Sequence, residues 1–342
     1  MSEINQQNKA TVWHLWQTLD HTRLETLSEP ITEAFHSDVK WHGPHPINEQ
    51  YGTDNLINGY WEPLRRSFPD LTRTTDVFIG GESEGEDWVA GTGYFSGTFQ
   101  NDWVDIPATG RKTYIRFGQF YVLAEGKITE SYLILDVLDV MRQAGYQLVP
   151  PSKGAEGGRV PPPRANDGVM LLEQDDLESR RTLQLVLAMI GGMRRYDGKS
   201  LDSMNQGHYW HPQFRWFGPN GIGTSRSLTE YQEFHQGPWL VAFPDRGTSP
   251  GGPGRMMGFI AEGPYAAGGI WGKTYATHTG VFMGLEPTGK TYTIRDFDWW
   301  KREGDLLVEN WVPIDIIDIL MQLGVDLFAR MRESEPISLS RK

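Results

Sequence analysis

The chain has 342 residues, of which 38% are hydrophobic and 12% aromatic, and its formal net charge is -12. This length accommodates two domains, each large enough to bury a core of its own. The negative charge, without any Lys/Arg run, disfavours a nucleic-acid partner, and the absence of cysteine excludes disulfides, thiolate nucleophiles and Cys-ligated metal sites.

The N-terminus and the hydropathy pattern predict neither export nor membrane insertion. Residues 1–16 lack the basic start and apolar stretch of a signal peptide, and no run of about 18 apolar residues occurs anywhere. We therefore expect a cytoplasmic protein without a membrane partner.

The first half of the chain places its helices before its strands. Residues 4–20 carry apolar side chains at helical spacing, and residues 55–68 predict a further helix that ends before Pro69. Three β-rich segments with turn signals between them follow: 87–98, 111–124 and 128–136. Helices first and antiparallel strands afterwards indicate an α+β domain.

A stretch rich in proline and glycine divides the chain. Residues 149–168, VPPSKGAEGGRVPPPRANDG, show no hydrophobic periodicity and predict a linker. The sequence thus predicts a first domain over 1–148 and a second over 169–342, which opens with a helix over 171–194.

The second domain repeats the plan of the first. Glu130–Gly145, ESYLILDVLDVMRQAG, matches Glu309–Gly324, ENWVPIDIIDILMQLG, 179 positions further on. Earlier landmarks such as W-x-G-P are 175 positions apart, so the second copy must gain four residues. The glycine-rich segment 247–254 is the expected place for that insertion. These two constant offsets predict an internal duplication.

Each copy places an aspartate at the end of an apolar strand, Asp136 in the first and Asp315 in the second. If the strand face that it shares with Tyr132 or Trp311 lines a pocket, desolvation would make the carboxylate a useful base. The alternative is that the acid caps the following helix. For the second aspartate of each segment, Asp139 or Asp318, we expect a capping or surface position.

His278 lies in a predicted strand, and its counterpart in the first copy is Phe99. A neutral imidazole opposite the aspartate could relay a proton or polarise a carbonyl. A strand histidine held only by hydrogen bonds is the alternative. The change to phenylalanine suggests that the second copy alone keeps a full site.

Aromatic and arginine side chains at matching positions are candidates for substrate binding. The aromatic residues could form the walls of a pocket for a flat or apolar ligand, although core packing is their other use. Arginines on matching strands could bind a carboxylate or pair with a strand acid. These candidates are Trp216, Trp299, Trp311 and Arg295 in the second copy, and Trp41, Tyr132 and Arg116 in the first.

Two histidine pairs, His42-x-x-His45 and His208-x-x-His211, have the spacing of metal ligands. Neither has a helical HExxH context or a third ligand beside it. We therefore predict no metal site.

These motifs together resemble the SnoaL-like polyketide cyclases of the nuclear transport factor two-like superfamily. The resemblance rests on W-x-G-P, on Thr277-His278-Thr279-Gly280 followed by Pro287-Thr288-Gly289-Lys290, and on E-x-W-x-x-x-D ending in Q-L-G. It covers most of both copies, residues 10–148 and 171–332, and is closer in the second. The first copy departs from it at Phe99, Tyr132 and Ala144.

The resemblance implies two tandem cone-shaped α+β barrels, each a curved sheet wrapped by helices around an apolar pocket, paired as an internal pseudo-dimer. Further homodimerisation would be compatible with it. In such cyclases an aspartate removes a proton next to a carbonyl without metal or cofactor, and this role would fall to Asp315, more weakly to Asp136, with His278 as partner.

The family scaffold also hosts other functions. A cofactor-independent enzyme acting on a small hydrophobic carbonyl compound is the expectation. Non-catalytic binding of a small molecule or lipid, and hydrolase or dehydratase chemistry in the same pocket, are the alternatives.

Overall fold

The structure is a computed structural model that describes residues 3–248 and 254–337. It divides into two compact units. The first unit contains the residues up to Leu148, together with Arg164–Glu173 and the residues from Phe328 onward. The second contains Val149–Pro163 and Gln174–Leu327, so the predicted linker 149–168 contributes residues to both units.

The first unit begins with helices and continues with strands. Its helices are α1 Glu3–His21, α2 Ser28–Ala34, α3 Thr53–Leu56, α4 Glu62–Ser67 and α5 Val137–Gln143, with a π-helical turn, Ile57–Trp61, between α3 and α4. Its strands are β1 Phe35–His42, β2 Glu49–Tyr51, β3 Thr72–Ser83, β4 Glu86–Thr98, β5 Lys112–Ala124 and β6 Lys127–Leu135.

The second unit follows the same order. Its helices are α6 Asp176–Met193, α7 Leu228–Tyr231, α8 Gly237–Ala242 and α9 Ile316–Leu323, with a π-helical turn, Gln232–Gln236, between α7 and α8. Its strands are β7 Trp210–Phe217, β8 Thr224–Ser225, β9 Gly247–Thr248, β10 Arg255–Glu262, β11 Tyr265–Thr277, β12 Thr291–Glu303 and β13 Leu306–Trp311. Helix α10, Leu327–Arg332, follows α9.

Both units form mixed sheets with the same topology. The first sheet has the order β2-β1-β6-β5-β4-β3, and the second has the equivalent order β8-β7-β13-β12-β11-β10, with β9 paired to β11. One strand pair in each sheet is parallel, β1 with β6 and β7 with β13. Both sheets are open paths of strands, so the predicted α+β class is confirmed although neither barrel closes.

Equivalent hydrogen bonds confirm the duplication. Thr98 N donates to Asp70 Oδ1 at 2.6 Å, and Thr277 N donates to Asp245 Oδ1 at 2.7 Å. Near the end of each unit a helix glutamine, Gln143 or Gln322, accepts a backbone N–H from the matching strand at 3.0 and 2.8 Å.

The predicted helices and the three predicted strands of the first half are present, with ends that differ by one or two residues. The helix predicted over 55–68 is divided into α3, the π-helical turn and α4, and the helix predicted over 171–194 is shorter and begins only at Asp176. Strand β3 was not among the predicted strands; it lies at the edge of the sheet, and residues 72–75 alternate between exposed and half-buried. Most of the expected insertion segment, 247–254, lies outside the described residues. None of the described helices has both the length and the apolar character needed to span a membrane.

Candidate active site

The second unit encloses a cavity of about 720 Å³ between its sheet and helices. This volume lies within the range of small-molecule sites, roughly 300–1,000 Å³. Aromatic side chains form much of its wall: Trp210, Trp216, Tyr231, Trp239, Tyr292 and Trp300. The cavity is therefore suited to a flat, largely apolar ligand.

Two carboxylates, Asp296 and Asp298, line this cavity from β12. Residues two positions apart on a strand share one face, so both acids point inward together with Ile294 and Trp300. Burial raises the pKa of Asp298 to about 7. Burial and then repulsion from Asp298 raise the pKa of Asp296 well above its ordinary value, although Arg246 acts in the opposite direction.

Near neutral pH Asp298 is close to half ionised and can accept a proton. The upward shift in the pKa of Asp296 favours its protonated form, which can donate a hydrogen bond. Neighbouring carboxyls whose environments separate their pKa values in this way supply an acid and a base in one site. Within the described residues, Asp296 Oδ1 is buried and has no hydrogen-bond partner.

Asn310, on the neighbouring strand β13, holds Asp298 in place. Its Nδ2 donates to Asp298 Oδ1 at 2.9 Å and to the backbone oxygen of Trp299 at 3.1 Å. A buried hydrogen bond from a side chain that is itself anchored fixes the direction of the carboxylate.

His235 faces the cavity from the π-helical turn and stacks on Trp216, with ring centroids 4.3 Å apart. Burial and the positive charge of Arg246 lower the pKa of His235 to about 3. The imidazole is therefore neutral at physiological pH. Its Nδ1 is buried without a hydrogen-bond partner among the described residues.

The aspartates singled out from the sequence occupy a different place. Asp315 and Asp136 are 2% and 7% exposed and are the N-cap residues of α9 and α5, each accepting the backbone N–H three residues later at 3.1 Å. Arg295 Nη1 lies 3.5 Å from Asp315 Oδ2 and 3.6 Å from Asp318 Oδ1. Asp318, for which a capping or surface position was expected, lies in the first turn of α9, and the N-cap position itself belongs to Asp315. Asp315 is not among the described residues that line the cavity.

His278 also lies away from the lining of the cavity. It is fully buried, its Nδ1 accepts the backbone N–H of Thr288 at 3.2 Å, and its ring lies 5.5 Å from that of Phe243. Burial lowers the pKa of His278. In the first unit Phe99 stacks on Phe68 at 4.7 Å in the same position, so the two residues anchor equivalent loops.

We predict that His278→Phe lowers the free energy of unfolding by about 0.5–1.5 kcal/mol, because the backbone N–H of Thr288 loses its acceptor. Urea denaturation measures this loss. Any reaction in the cavity should keep its rate, since His278 does not line it. A variant of unchanged stability and lost activity would contradict this structural assignment.

Of the other predicted binding residues, Trp216 alone lines the cavity of the second unit. Trp299 and Trp311 are buried in the same unit, and Trp311 Nε1 donates to the backbone oxygen of Pro161 at 3.0 Å. Arg295 packs over the ring of Trp271 with its Cζ 4.8 Å from the ring centroid.

The three candidates in the first unit are buried at separate places. Trp41 stacks on Tyr60 at 4.6 Å, and Tyr132 stacks on His42 at 4.4 Å. Arg116 is 3% exposed. Its backbone oxygen accepts the N–H of Asp136 at 3.0 Å, which matches the bond between Arg295 and Asp315.

The first unit has no acids at the positions of the cavity pair. The counterparts of Asp296 and Asp298, 179 positions earlier, are Phe117 and Gln119, which are 0% and 2% exposed. The guanidinium of Arg73 lies between aromatic rings there, with its Cζ 4.1 Å from the ring centroid of Trp16 and 5.2 Å from that of Phe117. Side chains therefore fill this part of the first unit.

A second, larger depression in the first unit offers less chemistry. It has a volume of about 1260 Å³ and opens to solvent between α4 and the loop at residues 101–104. Its buried polar side chains are already bonded: Arg65 Nη1 donates to the backbone oxygen of Leu71 at 2.9 Å, and Ser67 Oγ donates to that of Asp102 at 2.9 Å. Asp70, also in its lining, bonds Thr98.

Sequence reasoning missed four polar side chains of the cavity lining, Asp296, Asp298, His235 and Asn310. A signal was present in the duplication, because two apolar or neutral residues of one copy, Phe117 and Gln119, become acids in the other. Within the described ranges, no cluster of three or more His, Cys, Asp or Glu side chains could hold a metal ion.

The solved structures that match this chain include proposed polyketide cyclases of low sequence identity. A proposed SnoaL-like polyketide cyclase from Jannaschia sp. CCS1 is 20% identical, with a TM-score of 0.36, over 41% of this chain and 93% of that one. IdmH, a proposed polyketide cyclase from Streptomyces antibioticus, is 20% identical, with a TM-score of 0.34, over 41% of this chain and 99% of its own. No curated protein matched.

The family comparison covers both copies. The model of the SnoaL-like polyketide cyclase family matches residues 13–144 and again residues 201–323, which together make up most of the chain. Each match falls on one of the two duplicated segments. The chain therefore belongs to the SnoaL-like polyketide cyclase family, with two copies of the family domain in tandem.

Proposed function

We propose that the second unit is a cofactor-independent acid/base enzyme of the cyclase type, acting on a hydrophobic or aromatic carbonyl compound. The observation that carries the proposal is the pair Asp296 and Asp298 inside an aromatic cavity. Burial raises the pKa of both carboxyls, and the charge of Asp298 raises that of Asp296 further, which favours Asp296 as the acid and Asp298 as the base.

In the proposed reaction the ionised Asp298 removes a proton from the carbon next to the substrate carbonyl. The protonated Asp296 donates a hydrogen bond to the carbonyl oxygen and stabilises the negative charge that develops there. The enolate carbon then attacks a second carbonyl of the same molecule and forms the ring bond. The new alkoxide takes back the proton held by Asp298, so the acid pair returns to its starting state.

The walls of the cavity support this chemistry by offering surfaces that can bind the substrate. Trp216 and His235 present stacked rings to the cavity, and a planar substrate can lie against such a surface. Tyr231 and Tyr292 have their pKa values raised by burial and stay protonated as hydrogen-bond donors.

The first unit is proposed to be non-catalytic. Phe117 and Gln119 replace the acids, and Gln119 Nε2 donates to Ser131 Oγ at 3.2 Å in place of the bond between Asn310 and Asp298. Neither residue can act as a general acid or base.

Asp315 as the base, assisted by His278, stays a prediction from the family resemblance, and Asp136 stays its weaker counterpart. The location of Asp315 at a helix N-terminus beside Arg295 favours the role of a hydrogen-bonded helix cap. The substitutions Asp298→Asn and Asp315→Asn distinguish the two candidate bases.

The proposal is tested by exchange of substrate α-protons with solvent. Aromatic and aliphatic ketones and diketones are incubated with the protein in deuterium oxide, and loss of the α-proton signal is followed by nuclear magnetic resonance. Protein-dependent exchange is the expected result. Its absence across a panel that binds in the cavity would contradict proton abstraction.

Ligand binding without turnover is the second candidate, because most of the cavity wall is apolar. Binding without turnover predicts that the ligand is recovered unchanged and that its α-protons do not exchange with solvent. Hydrolysis or dehydration at the same acid pair would instead yield hydrolysed or dehydrated products. The small hydrophobic ligand, the internal pseudo-dimer and the cytoplasmic location stay predictions.

A further inference from the structure

Two arginines, Arg246 and Arg194, line the cavity of the second unit in addition to its acids. Arg246 follows α8 and Arg194 is the C-cap residue of α6. Both side chains are exposed. Across the described residues, the guanidinium of neither arginine makes a hydrogen bond or an ion pair.

The fold does not require a charge at the position of Arg246. Its counterpart 175 positions earlier is Leu71, which is 2% exposed in the first unit. The flanking framework is nevertheless the same, because Asp70 and Asp245 bind equivalent threonines, Thr98 and Thr277. Of the two copies, only the one with the cavity and the acid pair has an arginine at this position.

The charge of Arg246 acts on the interior of the cavity. It lowers the pKa values of His235 and Asp296, in each case as a smaller influence than burial. Burial and the charge of Asp298 favour the uncharged form of Asp296, and His235 is neutral, so neither side chain offsets the positive charge of the guanidinium. Asp298, the one partly ionised carboxyl of the pair, is bonded to Asn310.

We infer that the substrate carries an anionic group, most simply a carboxylate, which Arg246 binds while the carbonyl end of the molecule reaches the acid pair. Arg194, on the same cavity, adds a second positive charge for that group. The ligand class is thus an apolar or aromatic carbonyl acid. This inference rests on the proposed function, since it assigns the orientation of the substrate at the same site.

An anion at Arg246 and a reacting carbonyl at Asp296 would fix the substrate at two points. A guanidinium can bind a carboxylate through two parallel hydrogen bonds, which defines direction as well as affinity. The acid pair alone cannot select such a ligand, because a carboxylate placed beside Asp298 would be repelled. Discrimination by charge would therefore depend on the arginines.

The test compares two fluorescent probes with one ring system, anilinonaphthalene sulfonate and the uncharged phenylnaphthylamine. Their dissociation constants are measured for the wild-type protein, Arg246→Gln, Arg194→Gln and the control Arg226→Gln, an exposed arginine that does not line the cavity. We expect Arg246→Gln to weaken binding of the sulfonate about tenfold or more, as for loss of a hydrogen bond between charged groups. Binding of the uncharged probe should change less than about twofold, which also verifies that the variant is folded.

Unchanged sulfonate binding in Arg246→Gln would overturn the inference, as would an equal loss for both probes or an equal loss in Arg226→Gln. The outcome is independent of catalysis. A charge-selective loss without any α-proton exchange would refute the proposed reaction and leave the anion site standing. Normal exchange with unchanged sulfonate binding would refute the anion site alone.

Discussion

Replacing Asp298 by asparagine is expected to slow the exchange of substrate α-protons by about a hundredfold to ten-thousandfold, the usual contribution of a positioned general base. The amide keeps the size of the side chain and its oxygen can still accept from Asn310 Nδ2, so the cavity should keep its shape. Deuterium incorporation followed by nuclear magnetic resonance measures the rate, and binding of phenylnaphthylamine verifies the site. In the wild-type protein the rate should rise with pH and level off above a pKa of about 7.

Asp315→Asn is the matched control, since asparagine is as good an N-cap residue as aspartate. It should leave exchange within a few-fold of the wild-type rate, because Asp315 caps α9 and does not line the cavity. The opposite pattern, with exchange lost in Asp315→Asn and retained in Asp298→Asn, would establish the base predicted from the family resemblance and reject the acid pair. Gln119→Ala, in the first unit, should have no effect on exchange.

Much of the fold could be predicted because the sequence patterns that determine it are local and occur in both copies. A strand followed by a helix with its glutamine bound back to the sheet occurs at Gln143 and again at Gln322. A constant offset between two such segments fixes the order of the elements between them, whatever the individual propensities. The edge strands were less predictable. In the edge strand β3, residues 72–75 alternate between exposed and half-buried positions, but all four are polar, so the sequence shows no matching alternation of apolar and polar residues.

The candidate site was harder to predict because it depends on which strand face meets the cavity. Asp315 ends an apolar strand, which is also what a helix cap requires, and the local pattern does not distinguish the two uses. Asp296 and Asp298 sit within a strand that also contains Arg295 and Lys301, so their charges resemble those of a solvated face. Only the three-dimensional arrangement, with Asn310 beside Asp298, identifies the inward face.

The placement of the two kinds of acid also determines their effects on stability. A carboxylate that caps a helix is stabilised by the backbone N–H that it accepts. Burial raises the pKa of Asp298 to about 7, so the folded state disfavours the ionised form that this carboxyl would adopt in the unfolded chain. Functional sites commonly reduce stability in this way. The acid pair should therefore weaken the fold, whereas the caps strengthen it.

Asp298→Asn is accordingly expected to raise the free energy of unfolding by about 2–4 kcal/mol at pH 8. The folded pKa of Asp298, about 7, lies above the unfolded value of about 3.9. The protonated acid is therefore favoured in the folded state, and stability is lost as the pH rises from about 4 through about 7. The neutral amide has no such dependence. Urea denaturation at pH 8 and at pH 4 measures the difference, which should disappear at the lower pH.

Asp315→Ala provides the comparison of opposite sign, because removing an N-cap side chain should lower the free energy of unfolding by about 0.5–2 kcal/mol. Asp136→Ala should do the same in the first unit, where α5 has the equivalent cap. A buried carboxyl that destabilises the fold and a buried carboxyl that stabilises it thus lie 17 positions apart, at Asp298 and Asp315. If Asp298→Asn were instead less stable than the wild-type protein at pH 8, the ionised form of Asp298 would have to be stabilised by the fold. Asp298 would then have the low pKa of an ordinary paired acid, and the predicted rise of the exchange rate through a pKa of about 7 would be refuted with it.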